Sequence, residues 1–282
     1  MLGGGQVATA VTNGAPQPHD VVHLGREKLD ITDGAAVSSA LAAVKPQWII
    51  NAAAYTAVDR AEDEPAQAQA VNDVAVASLA KGALQAGCRL LHLSTDFVFD
   101  GKSNRAYKPE DATNPLSIYG STKLAGERHV MANAAGIVLR TSWVYASGGK
   151  NFVLTMLKLM REREQLGVVC DQIGAPTWAA SVAAAIWGLV AADAPGGIYH
   201  WSDLGVASWY DFAVAIQDEA MERGLLTRAA NILPIASAAY PSRATRPAFS
   251  LLDTSAARAT LAIPARHWRR NLRTMLDELR SA

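Results

Sequence analysis

The chain has little cysteine, no excess of either charge and no long apolar run, and each shortage excludes a class of protein. Its two cysteines, Cys88 and Cys170, lack metal-ligand spacing, so we expect reduced thiols in the core of a cytoplasmic protein. Lysine plus arginine and aspartate plus glutamate number 26 each, which leaves no net field to attract nucleic acid or an anionic membrane. No apolar run reaches the roughly 20 residues of a membrane span, and no segment is typical of a signal peptide.

The six histidines are scattered and no pair has the spacing of metal ligands, so no zinc site is predicted. With half of its 282 residues hydrophobic and 18% charged, the composition is that of an ordinary globular enzyme.

The chain also lacks a strand before its first glycine cluster. In MLGGGQVATAV only Met1 and Leu2 precede Gly3, whereas a phosphate-binding loop ordinarily follows a buried strand. We interpret Gly3–Val7 as such a loop in a weakened form, with Ala8 small enough for close packing of the following helix. A truncated N-terminus or a misassigned start codon is the expected explanation, and the missing strand is expected to lower both stability and cofactor affinity.

Short apolar runs alternate with helical patterns through the first half of the chain. This alternation is typical of βαβ units and predicts an α/β fold, a doubly wound parallel sheet of the Rossmann type without its first strand, over residues 1–145. Ligands are then expected at the carboxyl ends of the strands. The predicted strands are 20–24, 48–54, 89–95 and 136–145, and the predicted helices are 5–14, 33–44, 64–86 and 117–134.

The pattern changes after the fourth predicted strand. Residues 146–282 are predicted to form a smaller mixed region that packs over the cofactor edge of the sheet and binds the substrate. Its predicted helices are 151–164, 179–192, 208–222 and 267–280, and its predicted strands are 168–172 and 197–203.

The segment LSIYGSTKLAGE (116–127) carries the clearest chemical signal. Tyr119 and Lys123 are four residues apart, so on a helix they share one face. A nearby ammonium favours the phenolate and brings the pKa of a tyrosine towards neutrality. Thr95 ends an apolar strand upstream and could bind a substrate carbonyl beside this phenol. The alternatives are a half-buried tyrosine near a solvated lysine, and a hydroxyl that caps a turn.

Together these residues suggest proton transfer coupled to hydride transfer at a carbonyl carbon. The chain resembles the extended short-chain dehydrogenase/reductases and, among them, the dTDP-4-dehydrorhamnose reductase family. The segments that carry this resemblance are LDIT (29–32), NAAAYTAVDRAE (51–62), STDFVFDG (94–101), YGSTKLAGE (119–127), RTSWVY (140–145), DQIGAPT (171–177), GIYHWSD (197–203) and RPAFSLLDTS (246–255).

The resemblance implies a role for each matching residue. Tyr119 is expected to donate the proton, Lys123 to tune it and to bind the ribose, and Thr95 to assist. Asp96 is expected to contact the sugar with Thr95, and Trp143 to contact the sugar nucleotide, although a tryptophan after a buried strand is more often part of the core. The other residues expected at the cofactor are Gly5, Gln6 and Val7 under the pyrophosphate, Asp30 and Ile31 at the adenine, and Ala54, Tyr55 and Thr56 near the ribose and nicotinamide.

Three positions depart from the family pattern. Phe97 stands where tyrosine is common, Phe249 replaces an asparagine, and Ala10 stands where some members have a glutamate implicated in magnesium binding. We therefore predict no metal site, although magnesium occurs in the family.

The expected activity is the NAD(P)H-dependent reduction of dTDP-4-dehydro-β-L-rhamnose to dTDP-L-rhamnose. Arg26 could bind a 2′-phosphate, which favours NADPH over NADH, but an exposed loop arginine is nearly as good an interpretation. The alternatives are a related nucleotide-sugar reductase or epimerase, and a non-catalytic NAD(P)-binding regulatory subunit. We expect a dTDP-sugar as the ligand, no membrane or nucleic acid partner, and leave a homodimer open.

Overall fold

The computed structural model describes residues 1–261, 263–264 and 266–281. Its strands are β1 Trp48–Asn51, β2 Arg89–Thr95, β3 Ile137–Thr141, β4 Val144–Tyr145, β5 Gln165–Val169, β6 Ile173–Gly174, β7 Thr177–Trp178, β8 Gly197–His200, β9 Ala207–Ser208 and β10 Asn231–Ile235. Its α-helices are α1 Gln6–Asn13, α2 Gly34–Val44, α3 Val58–Asp63, α4 Pro65–Gln69, α5 Ala75–Ala86, α6 Ile118–Met131, α7 Phe152–Glu162, α8 Ala179–Ala191, α9 Trp209–Glu222, α10 Ser255–Thr260 and α11 Trp268–Ser281.

The central sheet is parallel, with strand order β1-β2-β3-β8. Its strands are buried on both faces because successive side chains point into different cores. Leu91 and Leu93 of β2 pack with α8 on one face, whereas Leu90 packs with α2 and α5 on the other. The predicted α/β fold with a doubly wound parallel sheet is confirmed.

The opening stretch occupies the position of the strand that the sequence lacks. Leu2 bridges to Leu24 on one side and to Asn51 on the other, both in parallel. The Leu2 amide donates to the Ile50 carbonyl at 2.9 Å, and the Leu2 carbonyl accepts from Ala52 at 2.9 Å. The prediction of a strand at 20–24 is therefore wrong. This segment pairs with the opening stretch only through Leu2, so it forms a single bridge at Leu24 instead of a strand. An apolar pocket of about 40 Å³ lies between Leu2, Leu24 and Trp48.

The predicted helix at 64–86 has a break that the sequence pattern did not indicate. It starts as α4, passes through a π-helical turn at Ala70–Val74 and continues as α5. Such turns often occur at functional sites because they redirect one or two side chains. Here the π turn carries the buried Asn72.

The second half is less separate from the sheet than the sequence suggested. β8 pairs with β3, so the strand predicted at 197–203 belongs to the central sheet, and α8 packs against α1. The strand predicted at 168–172 lies earlier, as β5, and pairs in parallel with β10. The remaining second half has its own core around α7, α9 and α11. The proposed division at residue 145 remains a prediction. In the described part of the chain, no helix combines the length and apolarity needed to cross a bilayer.

Candidate active site

Tyr119 lies at the N-terminus of α6, beside the carboxyl end of β2. Ser117 caps this helix by accepting a hydrogen bond from the Gly120 amide at 3.2 Å. A Cβ at Gly120 would lie 2.3 Å from the carbonyl oxygen of Phe97, so the glycine permits the close approach of the helix to the chain after β2. The rings of Tyr119 and Phe97 meet edge to face at 5.6 Å. Gly120 thus allows α6 to approach the sheet closely enough to place the Tyr119 phenol at its edge.

Thr95 links the phenol to a buried carboxyl group. Its hydroxyl donates to Asp96 Oδ1 at 3.0 Å and accepts from the Phe97 amide at 3.2 Å. Burial raises the pKa of Tyr119 to about 12, the Thr95 hydroxyl lowers it and the charge of Asp96 raises it further. The expectation that the pKa of this tyrosine is lowered is therefore not met here, because burial of the phenol dominates.

Asp96 itself is almost completely buried. Burial raises its pKa to about 6, against the opposing effect of hydrogen bonds from Ser250 and Thr95. Its Oδ2 is one of the few buried polar atoms without a hydrogen-bond partner in the described part of the chain. An unsatisfied buried oxygen next to the phenol is a suitable acceptor for a hydroxyl group of a ligand.

The amine of Lys123 is held by groups of β2 and not by Tyr119. Its Nζ donates to the Leu93 carbonyl at 2.6 Å and lies 3.1 Å from His92 Nε2. Burial lowers its pKa to about 8, and the Glu127 carboxylate acts in the opposite direction. The structure thus brings Thr95, Tyr119 and Lys123 to one edge of the sheet.

Gly4, Gly5 and Gln6 of the predicted phosphate loop line a cleft of about 760 Å³. Gly3 has φ +111°, and a Cβ there would lie 2.8 Å from the Ala53 amide nitrogen, so the loop needs glycine at this position. Gly5 precedes α1 without a side-chain cap, so the amides of the first turn have no side-chain partner beside the cleft. The Gln6 side chain accepts from Asn151 at 2.8 Å and donates to the Lys150 carbonyl at 3.2 Å. Val7 packs into the core.

The segment Ala54–Thr56 follows β1 and is fixed by Asn72. The amide of Tyr55 donates to Asn72 Oδ1 at 2.8 Å, and Asn72 Nδ2 donates to the Tyr55 carbonyl at 3.1 Å. The Tyr55 hydroxyl donates to Glu64 at 2.6 Å. Ala54 is half-buried, and Thr56 is exposed and lines the cleft.

The two residues predicted at the adenine differ in exposure. Asp30 accepts from the amide and hydroxyl of Thr32, which hold its pKa below the usual range, and lies 3.8 Å from exposed Arg26. Ile31 is buried in the core. Any contact it makes with a nucleotide is therefore limited to its backbone.

Trp143 has a strained backbone, with φ +47°. Its ring stacks on Trp209 at 3.6 Å and 4°, and a Cβ at Gly174 would lie 2.7 Å from it. Trp209 lines a second cleft, of about 790 Å³, with Gln172, Arg243 and Arg246. This cleft lies in the second half of the chain, where the sequence predicted substrate binding.

The three departures from the family pattern have clear positions. Phe97 faces the ring of Tyr119 and offers no hydroxyl, whereas Phe249 packs against a small core that includes Phe99. Ala10 lines the first cleft, and the described residues contain no cluster of potential metal ligands there or elsewhere.

Sequence reasoning missed the residues that support the site from behind. Asn51 and His92 end or lie within apolar strands, where a polar side chain is itself the signal, because buried polar groups need partners. Asn72 carries no such signal, since the π turn that aims it is not visible in the helical pattern. Arg243 and Arg246 lie in a loop with no periodicity.

The match to a family model agrees with this geometry. The model described as "RmlD substrate binding domain" matches residues 1–281. A protein named dTDP-4-dehydrorhamnose reductase from Aggregatibacter actinomycetemcomitans is 40% identical over 98% of this chain and 95% of its own length. One of the same name from Streptomyces griseus is 44% identical over 88% of this chain and 82% of its own.

Solved structures match over almost the whole chain. A dTDP-4-dehydrorhamnose reductase from Clostridium acetobutylicum has a TM-score of 0.93 at 33% identity and covers 99% of this chain and 98% of its own. One from Bacillus anthracis, in complex with NADP, has a TM-score of 0.92 at 32% identity and covers 98% of both chains.

Proposed function

The chain belongs to the RmlD substrate binding domain family, and on this premise we propose that it is an NADPH-dependent reductase that converts dTDP-4-dehydro-β-L-rhamnose to dTDP-L-rhamnose. The observation that carries the proposal is the meeting of Thr95, Tyr119 and Lys123 at the edge of the sheet. The names of the relatives supply the reaction, and the two clefts supply room for a dinucleotide and a sugar nucleotide.

The first cleft fits a dinucleotide. The glycine-only turn at Gly3 and the uncapped first turn of α1 present amides to a pyrophosphate. Exposed Arg26 beside Asp30 can pair with a 2′-phosphate, and the NADP in the Bacillus anthracis structure supports the same preference. When bound, the nicotinamide supplies a hydride to the carbonyl carbon.

The chain's own residues position the carbonyl and supply the proton. Tyr119 donates its hydroxyl proton to the oxygen that becomes negative as the carbonyl is reduced. The raised pKa keeps the phenol protonated, so the proton is present at neutral pH. Thr95 lies beside the phenol, and its hydroxyl can donate to the same carbonyl oxygen once it turns away from Asp96 Oδ1. The free oxygen of Asp96 can accept from a sugar hydroxyl.

The second cleft fits the nucleotide part of the substrate. Arg243 and Arg246 line it and can pair with a diphosphate. Both are held by carboxylates of α3, since Arg246 contacts Asp59 at 2.7 Å and Arg243 contacts Asp63. Trp143, fixed by its stack on Trp209, is proposed to contact the sugar nucleotide. We also propose a cytoplasmic location and a homodimer, and sedimentation would test the homodimer.

The proposal predicts that Tyr119→Phe lowers kcat by about 100-fold or more and leaves NADPH affinity within about twofold, because only the proton donor is lost. NADPH oxidation is followed with dTDP-4-dehydro-sugar and with a panel of other nucleotide sugars. Turnover by Tyr119→Phe equal to that of the parent would remove this residue from the mechanism. Activity confined to another sugar, or tightly retained NAD after purification, would favour the related reductase or epimerase.

A further inference from the structure

A directed chain of hydrogen bonds runs beneath Lys123. The backbone amide of Ala53 donates to Asn51 Oδ1 at 3.0 Å, and Asn51 Nδ2 lies 3.0 Å from His92 Nδ1. His92 Nε2 lies 3.1 Å from Lys123 Nζ, which donates to the Leu93 carbonyl at 2.6 Å. Asn51 and His92 are fully buried, so water cannot exchange for either partner.

The first donor fixes the direction of the whole chain. A backbone N–H can only donate, so the atom of Asn51 that faces Ala53 is its carbonyl oxygen, and its NH₂ group must donate to His92 Nδ1. A neutral imidazole carries one hydrogen, and with Nδ1 accepting this hydrogen lies on Nε2. Burial lowers the pKa of His92 well below its usual value, which agrees with a neutral ring.

His92 Nε2–H then points at Lys123 Nζ. An ammonium has no lone pair to accept it, whereas a neutral amine has one and still donates to the Leu93 carbonyl. The hydrogen-bond direction and the burial of Lys123 therefore favour the same form of the side chain.

The charged groups around Lys123 do not reverse the preference for its neutral amine. Glu127, one turn along α6, favours the ammonium, but its carboxylate is bound by Arg140 of β3 at 2.6 Å and by the Ser94 hydroxyl of β2. The pKa of Lys123 responds to burial and to Glu127, and neither Asp96 nor Tyr119 shifts it. The neighbouring π turn faces α6 with the neutral Asn72, which bonds Thr122, and with Asp73, which bonds His129 at 2.7 Å.

We propose that Asn51 and His92 are a positioning pair that disfavours the ammonium form of Lys123, so that binding of the nicotinamide nucleotide is coupled to uptake of one proton by Lys123. The second part rests on the proposed function. The bound nucleotide brings anionic phosphates and ribose oxygens that favour the ammonium, and the proton comes from solvent. Because the pKa of free Lys123 is lowered to about 8, uptake is largest above pH 8 and disappears at lower pH, where Lys123 is already protonated.

The tautomer of His92 tests the first part without any ligand. Long-range ¹H–¹⁵N NMR of the free protein at pH 8.5 should show a ring protonated at Nε2 only, identified by the loss of its signals in His92→Gln. A ring protonated at Nδ1, or an imidazolium, would overturn the pair. A protein that shows this tautomer yet reduces no sugar would contradict the proposed function and leave the pair standing.

NADPH affinity against pH tests the coupling. For the parent protein, Kd should rise about tenfold per pH unit above pH 8, because each unit opposes the uptake of one proton. In Asn51→Asp the carboxylate accepts from His92 Nδ1–H, the ring turns its Nε2 lone pair to Lys123, and the ammonium is stabilised. The Kd of this variant should stay flat to about pH 9. Calorimetry in two buffers counts the protons directly.

The matched control is Asn72→Asp, which adds a buried carboxylate beside α6 but outside the chain of hydrogen bonds. A slope lost equally in both variants would mean that charge alone acts, and would overturn the positioning role. A parent slope of zero would overturn the coupling. If Asn51→Asp does not fold, His92→Gln serves instead, because its amide oxygen can accept from the ammonium and should flatten the slope in the same way.

Discussion

The cofactor side and the substrate side of the site are held by different kinds of interaction. On the cofactor side, Asn51, Asn72 and His92 are fully buried and bonded in directions that fixed donors dictate. On the substrate side, Arg246 and Asp59 form a partly exposed ion pair that joins the loop around residues 240–254 to α3. Buried polar networks allow few arrangements, whereas exposed ion pairs are weak and exchange partners easily. We expect the cofactor side to be preorganised and the substrate side to rearrange on binding.

Lys123→Met should have the largest effect, since it removes the proposed ribose ligand and the ammonium proposed to form when the nucleotide binds. We expect kcat/KM to fall about 1000-fold and NADPH affinity to weaken as well. Steady-state kinetics and fluorescence titration with NADPH measure the two. Lys158→Met, an exposed lysine of α7, is the control and should change neither. Unchanged NADPH affinity in Lys123→Met would contradict the ribose contact.

Asn72→Ala tests the rigidity of the cofactor side. It leaves the amide and carbonyl of Tyr55 without their buried partner, at a cost of about 3 kcal/mol of unfolding free energy. The melting temperature should fall by roughly 6–10 °C and NADPH affinity should weaken. Asn231→Ala, on exposed β10, should melt within about 1 °C of the parent, since an exposed polar side chain contributes little. An equal loss in both variants would contradict the comparison.

Asp96→Asn should stabilise the fold above neutral pH. The pKa of Asp96 is about 6 in the folded state and about 3.9 when unfolded, so ionisation above pH 6 costs stability and the cost disappears as pH falls through 6 towards 4. We expect a gain of about 2 kcal/mol at pH 7.5, less than the full shift because the amide loses acceptor capacity, and little gain at pH 4.5. Urea unfolding of the parent and of Asp96→Asn at pH 7.5 and pH 4.5 measures this difference in the free energy of unfolding.

The control for this pH dependence has the opposite sign. Exposed Asp171 accepts from the amide and hydroxyl of Ser237, which lower its pKa. Asp171→Asn should therefore destabilise slightly at pH 7.5. A gain in that variant would show that charge removal alone stabilises the protein.

Arg246→Ala should have the smallest effect on the fold. Loss of a partly exposed ion pair with Asp59 costs about 1 kcal/mol or less of stability. The KM for the sugar nucleotide should rise about tenfold while NADPH affinity stays unchanged, because only the diphosphate contact is lost. Arg228→Ala, an exposed pair with Glu164, is the control. A melting temperature as low as that of Asn72→Ala would remove the difference between the two sides.

The strands that pattern predicted well are those whose neighbours are complete. β2 lies where predicted, at Arg89–Thr95, because this apolar run has a paired strand on each side, β1 and β3. Residues 20–24 have a similar apolar composition, yet they can pair only with Leu2 and therefore form one bridge. The hydrophobic pattern of a segment indicates which side chains it can bury, but whether it forms a strand depends on the neighbouring strands with which it can pair.

The amino-acid sequence by itself determined the α/β alternation, the glycine turn at Gly3 and the placement of Thr95, Tyr119 and Lys123 at one edge, because local periodicity and strand ends fix these. Only the tertiary structure decided that β8 completes the central sheet and that Asn72 reaches Tyr55 from a π turn. It also decided the pKa values of Tyr119 and Lys123, which depend on burial. Burial and hydrogen-bond direction arise when segments distant in the chain pack together, and no local pattern contains them.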